Sequence, residues 1–115
     1  MKLGTDIIEI SRIEKALKKF DHKFKQRFLN KDEMILAKKV ASVAGFWASK
    51  EAISKALGCG IGKELSFLDI LIHKTNKGAP FFTLSPQAQK KFNIKSSSLS
   101  ISHDGGFAIA VVIIE

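Results

Sequence analysis

The residues best equipped for chemistry lie between Gly45 and Gly62, in the stretch GFWASKEAISKALGCGIG. This stretch carries one acid, Glu51, among lysines and serines, and it ends in three glycines spaced two apart. A carboxylate beside ammonium and hydroxyl groups can hold a cation, bind a phosphate or move a proton. The alternative is a solvated helix face with a Glu51–Lys55 pair, which contributes only about 0.2–0.5 kcal/mol. Taken alone, the helical part of the stretch favours that alternative.

A helix over this stretch would have one apolar and one polar face, because successive residues advance by about 100°. The apolar arc holds Phe46, Ala52, Ile53, Ala56 and Leu57. The opposite arc holds Trp47, Lys50, Glu51, Ser54 and Lys55. Gly58 suits the C′ position that ends a helix, and Gly60 and Gly62 exceed that need and let a backbone approach a ligand closely. Because these glycines close a helix, a dinucleotide-binding fingerprint is not indicated.

Two further side chains that could take part in catalysis or ligand binding lie far from this stretch in the sequence. The alternation from Leu3 to Ile10 predicts a strand with Asp6 on the same side as Ile8. An ionised carboxylate on an apolar face is costly unless a cation meets it, and the alternative is a strand-end Asp6 that faces solvent. His103 stands at the mouth of a predicted hairpin, where a histidine can bind a phosphate or shuttle a proton, or can be structural.

The chain before Gly45 predicts two helices that would support these groups. Ser11 and Glu14 form a capping-box pattern, so the first helix should start after Ser11. Its buried stripe is expected to comprise Ile13, Ala16, Leu17 and Phe20. Asn30 should cap the second helix, whose first turn carries acids that the helix dipole favours. The apolar side of that helix should comprise Ile35, Leu36 and Val40.

The chain after Gly62 changes to a strand pattern. Strands are predicted over Phe67 to His73, Phe81 to Leu84, Leu99 to His103 and Phe107 to Ile114. Ser85 and Pro86 indicate the start of a short helix through Phe92. Asp104-Gly105-Gly106 indicates a hairpin turn between the last two strands.

The last predicted strand is apolar on both faces. One face can lie on the helices, and the other should be covered by a subunit interface or a second layer. The element order predicts a single α+β domain over residues 1–115, with helices packed on a mainly antiparallel sheet.

The composition limits the classes of partner and location. The chain has 19 Lys and Arg against 11 Asp and Glu, a net charge of +8. This balance favours nucleic acid, a membrane surface, a phosphorylated small molecule or an acidic protein, although a merely soluble basic protein is also consistent with it. One cysteine excludes an internal disulfide and fits a reducing cytosol. No apolar run approaches the roughly 20 residues of a membrane span and no signal-peptide layout is present, so a cytoplasmic location is expected.

Ordered motifs along the whole chain carry a resemblance to a known family. The chain opens with GTDIIEISRI from residue 4 and has WASKEAISKA from residue 47, followed by the glycines at 58, 60 and 62. The supporting matches are Arg27-Phe28, Glu33, Ser66-Phe67-Asp69-Ile70, Gly78-Pro80, Ser100-Ser102-His103 and Glu115. In this order they resemble the holo-[acyl-carrier-protein] synthase family of 4′-phosphopantetheinyl transferases.

The resemblance implies an enzyme that moves 4′-phosphopantetheine from coenzyme A to a serine of apo-acyl carrier protein and releases adenosine 3′,5′-bisphosphate. It also implies Mg²⁺ held by Asp6 and Glu51, with pyrophosphate oxygens and water completing the shell. Magnesium commonly combines one or two carboxylates with substrate phosphates, which would account for the carboxylate on the apolar strand face. Glu51, directly or through a water on the metal, would take the serine proton, and Lys55 and His103 would be its catalytic partners.

The resemblance also implies a set of coenzyme A contacts. They comprise Lys50, Ser54, Gly58, Gly60, Gly62, Gly78, Pro80 and His103. This chain departs from the family pattern at Phe46, where an arginine is common, and at Ala79, where a lysine is common. Both departures remove positive charge that could meet coenzyme A phosphates, and Lys63 and Lys77 are the candidates to compensate.

The resemblance finally implies a cytoplasmic homotrimer of lipid metabolism with active sites between neighbouring subunits. The acidic carrier protein would dock on a basic surface formed by Arg12, Lys15, Lys19 and Arg27, and no nucleic-acid or membrane partner is expected. The rival class is a basic nucleic-acid-binding module, which would need exposed aromatic residues among its cations for base stacking. The chain has no tyrosine, and most of its nine phenylalanines fit apolar stripes or core strands.

Overall fold

Five α-helices, five strands and one 3₁₀ turn make up the computed structural model, which describes residues 1–115. The helices are α1 (Ile10–Phe20), α2 (His22–Phe28), α3 (Lys31–Leu36), α4 (Val40–Ala56) and α5 (Pro86–Phe92). The strands are β1 (Lys2–Glu9), β2 (Ile70–Lys74), β3 (Pro80–Leu84), β4 (Ser97–Asp104) and β5 (Phe107–Ile114). All strand pairs are antiparallel, in a β1-β5-β4 sheet and a β2-β3 sheet. The predicted α+β class is confirmed.

The three-stranded sheet buries one face against α4 and leaves the other uncovered within the chain. Ala108, Ala110, Val112 and Ile114 of β5 are buried. Their neighbours Phe107, Ile109, Val111 and Ile113 are 39–41% exposed, and β1 adds exposed Leu3 and Ile7 beside them. The prediction that both faces of β5 are apolar is confirmed. The alternative of a second layer is wrong for the single chain, and a subunit interface stays a prediction.

Gly4 allows β1 to lie directly on α4. A Cβ at this position would overlap the carbonyl oxygen of Ala52. Because strand side chains alternate, the same close approach turns Asp6, two residues further on, toward the helix. The alternation predicted for this strand is confirmed, since Gly4 and Ile8 are buried while Leu3 and Ile7 are exposed.

The first helix begins earlier than its capping pattern suggested. It starts at Ile10 without a side-chain cap, because β1 runs straight into it, and the Ile10 N–H donates to the Gly106 carbonyl at 2.9 Å. The predicted start after Ser11 is therefore wrong. Ile13 is buried as expected, whereas Phe20 is 45% exposed because the chain turns at Asp21 and leaves the end of the stripe uncovered.

The second predicted helix is correct at its start and wrong on its apolar side. Asn30 and Glu33 form a reciprocal capping box. The helix ends at Leu36, so Ile35 and Leu36 point outward at 65% and 40% exposure, and Val40 belongs to α4. The side chain that α3 buries is Glu33.

The elements after Gly62 agree with the predicted caps and turns, except that β2 begins later than predicted. Phe67–Asp69 forms a 3₁₀ turn, because Asp69 accepts from the N–H and hydroxyl of Ser66 at 2.9 and 3.1 Å, so β2 begins only at Ile70. Helix α5 begins at Pro86 after the Ser85 cap, as predicted. Gly105 and Gly106 form the hairpin turn with φ of +59° and +87°. None of the helices combines the length and apolarity needed to cross a bilayer.

Replacing Gly4 with alanine should lower the free energy of unfolding by about 1–3 kcal/mol, because the new methyl group forces β1 away from the Ala52 carbonyl. Urea unfolding of the purified variant measures this. Gly62→Ala is the matched control, since its methyl group meets nothing within 4 Å and its φ is not left-handed. Similar losses in both variants would contradict the proposed β1–α4 constraint.

Candidate functional site

The contact between β1 and α4 brings three of the predicted site residues together. The Lys55 ammonium donates to Asp6 Oδ1 at 2.8 Å and to the Thr5 carbonyl at 3.2 Å. The Asp6 side chain is 14% exposed, whereas Lys55 is 52% exposed. The cation expected beside a carboxylate on an apolar strand face is therefore Lys55, and solvent-facing Asp6 is excluded.

Glu51 completes this group, which we call the acid cluster (Asp6, Glu51 and Lys55). Burial raises the pKa of Glu51, and repulsion by Asp6 raises it further, while Lys55 partly opposes both effects. Because the pKa is raised on folding, the ionised form of Glu51 destabilises the fold, and stability falls as the pH rises through that pKa. A cation placed between the two carboxylates would remove this penalty.

Asp6 and Glu51 are the residues of the acid cluster that could hold a divalent cation, provided that further ligands come from outside the chain. Nowhere in the chain do three or more His, Cys, Asp or Glu side chains converge on a possible metal position. Asp6 and Glu51 offer carboxylate oxygens, the hard ligands that Mg²⁺ prefers, and substrate phosphates or water would have to supply the remaining ligands. This donor set is typical of magnesium sites that act on phosphates.

Lys50 does not take the role predicted for it. Its side chain is 0% exposed, and its ammonium donates to the Phe28 carbonyl at 2.6 Å, Glu33 Oε1 at 2.9 Å and the Phe67 carbonyl at 3.0 Å. Burial lowers the pKa of Lys50, and the adjacent Glu33 carboxylate opposes that shift. All three N–H bonds are engaged inside the protein, so the assignment of Lys50 to a phosphate is corrected to a structural one.

Ser54 is also buried, and its hydroxyl donates to the Glu51 carbonyl at 2.7 Å. Its predicted contact with coenzyme A is corrected to a bond within α4. The polar arc expected on this helix is thus narrower than predicted, because Lys50 and Ser54 face the interior, and Glu51 and Lys55 are its charged residues that reach the surface.

The glycine loop closes α4 as predicted. The N–H groups of Gly58 and Cys59 donate to the carbonyls of Lys55 and Ser54 at 3.0 and 3.3 Å, which is the Schellman pattern. Gly58 and Gly60 have φ of +82° and +66°, while Gly62 has no left-handed φ. A Cβ at any of the three would meet nothing within 4 Å, so this loop presents open backbone.

The remaining predicted residues lie in a separate cavity of about 170 Å³, here called the hairpin cavity. Its eight lining residues are Ala41, Ser42, Phe46, Lys74, Gly78, Pro80, Ile101 and His103. No member of the acid cluster lines it. Two groups of predicted site residues therefore form apart from the glycine loop: the acid cluster, and the residues Gly78, Pro80 and His103 of the hairpin cavity. Lys74 was not among the residues predicted for the site, and its only signal in the sequence is its position before the Asn76-Lys77-Gly78 turn.

The basic surface of α1 and α2 is exposed as predicted. It comprises Arg12, Lys15, Lys19 and Arg27. The exposed Phe20 ring lies among these cations, with Lys19 Nζ 5.2 Å and Arg27 Cζ 5.8 Å from its centroid. An apolar side chain surrounded by cations suits a partner with an apolar residue inside an acidic surface.

Comparisons with known proteins show which family the chain belongs to. A sequence model described as the 4′-phosphopantetheinyl transferase superfamily matches residues 2–112. The holo-[acyl-carrier-protein] synthase of Sulfurovum sp. is 60% identical over 115 residues, covering 100% of this chain and 97% of the relative. That of Campylobacter fetus is 59% identical over 113 residues, covering 98% of each.

Two crystal structures are similar along nearly the whole chain. Helicobacter pylori holo-[acyl-carrier-protein] synthase in complex with coenzyme A has a TM-score of 0.96 and 59% identity, covering 98% of this chain and 99% of that one. The Neisseria meningitidis holo-[acyl-carrier-protein] synthase has a TM-score of 0.89 and 35% identity, covering 99% and 97%.

Replacing Lys50 with methionine should lower the free energy of unfolding by about 3–5 kcal/mol, because Glu33 would remain buried without its cation. Thermal or urea unfolding measures the loss. Adding Glu33→Gln to this variant should recover part of it, since no uncompensated charge then remains. Lys55→Met, which removes a half-exposed cation, should cost less than about 1 kcal/mol. Equal losses for Lys50→Met and Lys55→Met would contradict the structural role of Lys50.

Proposed function

Because the chain belongs to the 4′-phosphopantetheinyl transferase superfamily, among its holo-[acyl-carrier-protein] synthases, we propose that it transfers 4′-phosphopantetheine from coenzyme A to a serine of apo-acyl carrier protein in a Mg²⁺-dependent reaction. The observation that carries this proposal is the acid cluster, where two carboxylates and one ammonium meet at the β1–α4 contact. The coenzyme A complex of the Helicobacter pylori relative supports coenzyme A as the donor.

In the proposed reaction, the serine oxygen forms a bond to the phosphorus that carries pantetheine. The bond from that phosphorus to the bridging pyrophosphate oxygen breaks, and adenosine 3′,5′-bisphosphate leaves. Glu51 takes the serine proton. Bound between Asp6 and Glu51, Mg²⁺ would supply positive charge to the pyrophosphate oxygens.

The other residues of the site bind and orient the substrate. Lys55 is half exposed and held by Asp6, so its ammonium can meet a phosphate oxygen without leaving the site. The open backbone at Gly58, Gly60 and Gly62 suits close approach by coenzyme A. Gly78, Pro80 and His103 would contact another part of the same substrate from the hairpin cavity.

We further propose a cytoplasmic homotrimer with sites between neighbouring copies. The support is the exposed apolar face of β5 and β1, which a second copy would cover. The separation of the acid cluster from the hairpin cavity also favours a site that more than one copy completes. The acidic carrier protein of fatty acid synthesis would dock on Arg12, Lys15, Lys19 and Arg27, with neither nucleic acid nor membrane as a partner.

Glu51→Gln and Asp6→Asn should each lower kcat/KM by about 100-fold or more, since loss of a metal ligand removes several kcal/mol of transition-state stabilisation. The assay is the mass increase of apo-acyl carrier protein with coenzyme A, and chelation of Mg²⁺ should stop it. Glu64→Gln is the control, because Glu64 pairs only with Lys91 at the surface. No transfer by the wild type would refute the proposed function. Full transfer by Glu51→Gln would refute only the role of the acid cluster.

The double variant Arg12→Glu/Lys15→Glu should raise the KM for apo-acyl carrier protein by about tenfold and leave the KM for coenzyme A unchanged, because it reverses charge only on the docking surface. Raising the ionic strength should raise the KM of the wild type for apo-acyl carrier protein toward the value of the double variant. Lys90→Glu makes the same charge change per residue on α5 and should have little effect. A wild-type KM for carrier protein that does not respond to salt would contradict this docking surface.

A further inference from the structure

Glu33 is a buried carboxylate that the proposed reaction does not use. Its Oε1 accepts from the Lys50 ammonium and from the Asn30 N–H, both at 2.9 Å, and its Oε2 accepts from the Ile72 N–H at 2.8 Å. Two of these donors are backbone groups, one in the cap of α3 and one in β2. The main chain therefore holds the carboxylate on both sides, and Glu33 is a fixed anchor for Lys50 of α4.

Lys50 connects α4 to this anchor. A lysine side chain is long and flexible, so a single bond would not fix its position. Its ammonium also donates to the carbonyls of Phe28 and Phe67, which belong to the end of α2 and the start of the 3₁₀ turn. Three acceptors on three separate elements fix the ammonium in space, and with it the side of α4 that carries Lys50.

The apolar packing of α4 does not by itself select one rotation of the helix. An amphipathic helix has one buried stripe, and that stripe determines which face turns inward. Helix α4 instead buries residues on all sides, and most of them are small: Val43, Ala44, Gly45, Phe46, Ala48, Ser49, Lys50, Ala52, Ile53, Ser54 and Ala56. Small buried side chains distinguish neighbouring rotations weakly, whereas a polar contact inside a core can fix the register of a helix.

A small rotation of α4 would separate the two carboxylates of the acid cluster. Glu51 moves with α4, whereas Asp6 belongs to β1. Side chains reach about 5–6 Å from a helix axis, so a rotation of about 20° displaces the Glu51 carboxylate by about 2 Å. Mg²⁺ requires oxygen ligands at about 2.0–2.1 Å in a nearly octahedral arrangement. Such a displacement would leave one carboxylate out of reach of a shared cation.

Resting on the proposed function, we propose that Glu33 is a positioning residue, which through Lys50 sets the rotation of α4 at which Asp6 and Glu51 bind one divalent cation together. A purely structural role predicts a different result when both partners of the pair are replaced. Uncharged residues of similar volume often replace a buried ion pair with little loss of stability, but they would not restore its directed bonds.

The test is calorimetric binding of coenzyme A to the full chain, with Mg²⁺ and with a chelator, for wild type and Glu33→Gln/Lys50→Met. The free energy of unfolding of this double variant should exceed that of Lys50→Met alone. The gain in affinity that Mg²⁺ provides should fall by at least about tenfold, as expected for loss of a residue that orients a metal ligand. The affinity with chelator should change by less than about twofold, since a glutamine oxygen can still accept from the Ile72 N–H and hold β2.

Leu84→Ala is the matched control, because Leu84 is a buried residue of β3 that lies outside the acid cluster and the hairpin cavity. It should lower the free energy of unfolding by about 2–5 kcal/mol and leave the Mg²⁺-dependent gain unchanged. Glu33→Asp is a second test should the double variant not fold. It keeps the charge, shortens the side chain by one methylene, and should lower the gain by about tenfold.

A full Mg²⁺-dependent gain in the folded double variant or in Glu33→Asp, or a loss of that gain in Leu84→Ala, would overturn the proposal. A wild type whose affinity for coenzyme A does not respond to Mg²⁺ would overturn it as well. If the wild type shows the gain and the double variant loses it, but no transfer to carrier protein occurs, the positioning role of Glu33 is supported and only the proposed function fails.

Discussion

The buried ion pair between Lys50 and Glu33 fixes the rotation of α4, and the candidate site depends on that rotation. Glu33 accepts from Lys50 and from the Asn30 and Ile72 N–H groups, at 2.8–2.9 Å. Lys50 also donates to the carbonyls that end α2 and begin the 3₁₀ turn. One pair thus joins α2, α3, α4 and β2. With Lys50 held inward, Glu51 is turned by about 100° toward β1 and Asp6.

Aromatic packing makes this pair compatible with burial. Phe24, Phe28, Trp47 and Phe67 form a continuous group with ring centroids 4.7–6.0 Å apart. Phe28 and Phe67 contribute to this group through their rings and accept from Lys50 through their carbonyls. The desolvation penalty of a buried ion pair is often as large as the electrostatic attraction between its charges, so the pair contributes little to the net free energy of unfolding. The pair instead determines which face of α4 lies against the three-stranded sheet.

The sequence was sufficient to predict the parts of the site that depend on local periodicity. Alternation placed Asp6 on the inner face of β1, and helix periodicity placed Glu51 beside Lys55; in the structure Asp6 is half-buried, and the charge of Lys55 acts on Glu51. It could not show that Lys50 turns inward, because a buried lysine is energetically possible only with a specific partner, and Glu33 lies 17 residues away. Lys74 was missed for a similar reason, since the hairpin cavity forms only when four elements, α4, β2, β3 and β4, meet.

The two groups of site residues differ in charge, and this difference explains why we propose a cation at only one of them. The acid cluster has two carboxylates against one ammonium, so a pyrophosphate alone would be repelled when both acids are ionised. Burial raises the pKa of Glu51 most, and repulsion by Asp6 adds to it; a divalent cation would reverse the sign of the charge and remove that repulsion. The hairpin cavity has a lysine and no acid, so it can accept an anion directly. Both groups can therefore accept an anion, the acid cluster only together with a cation.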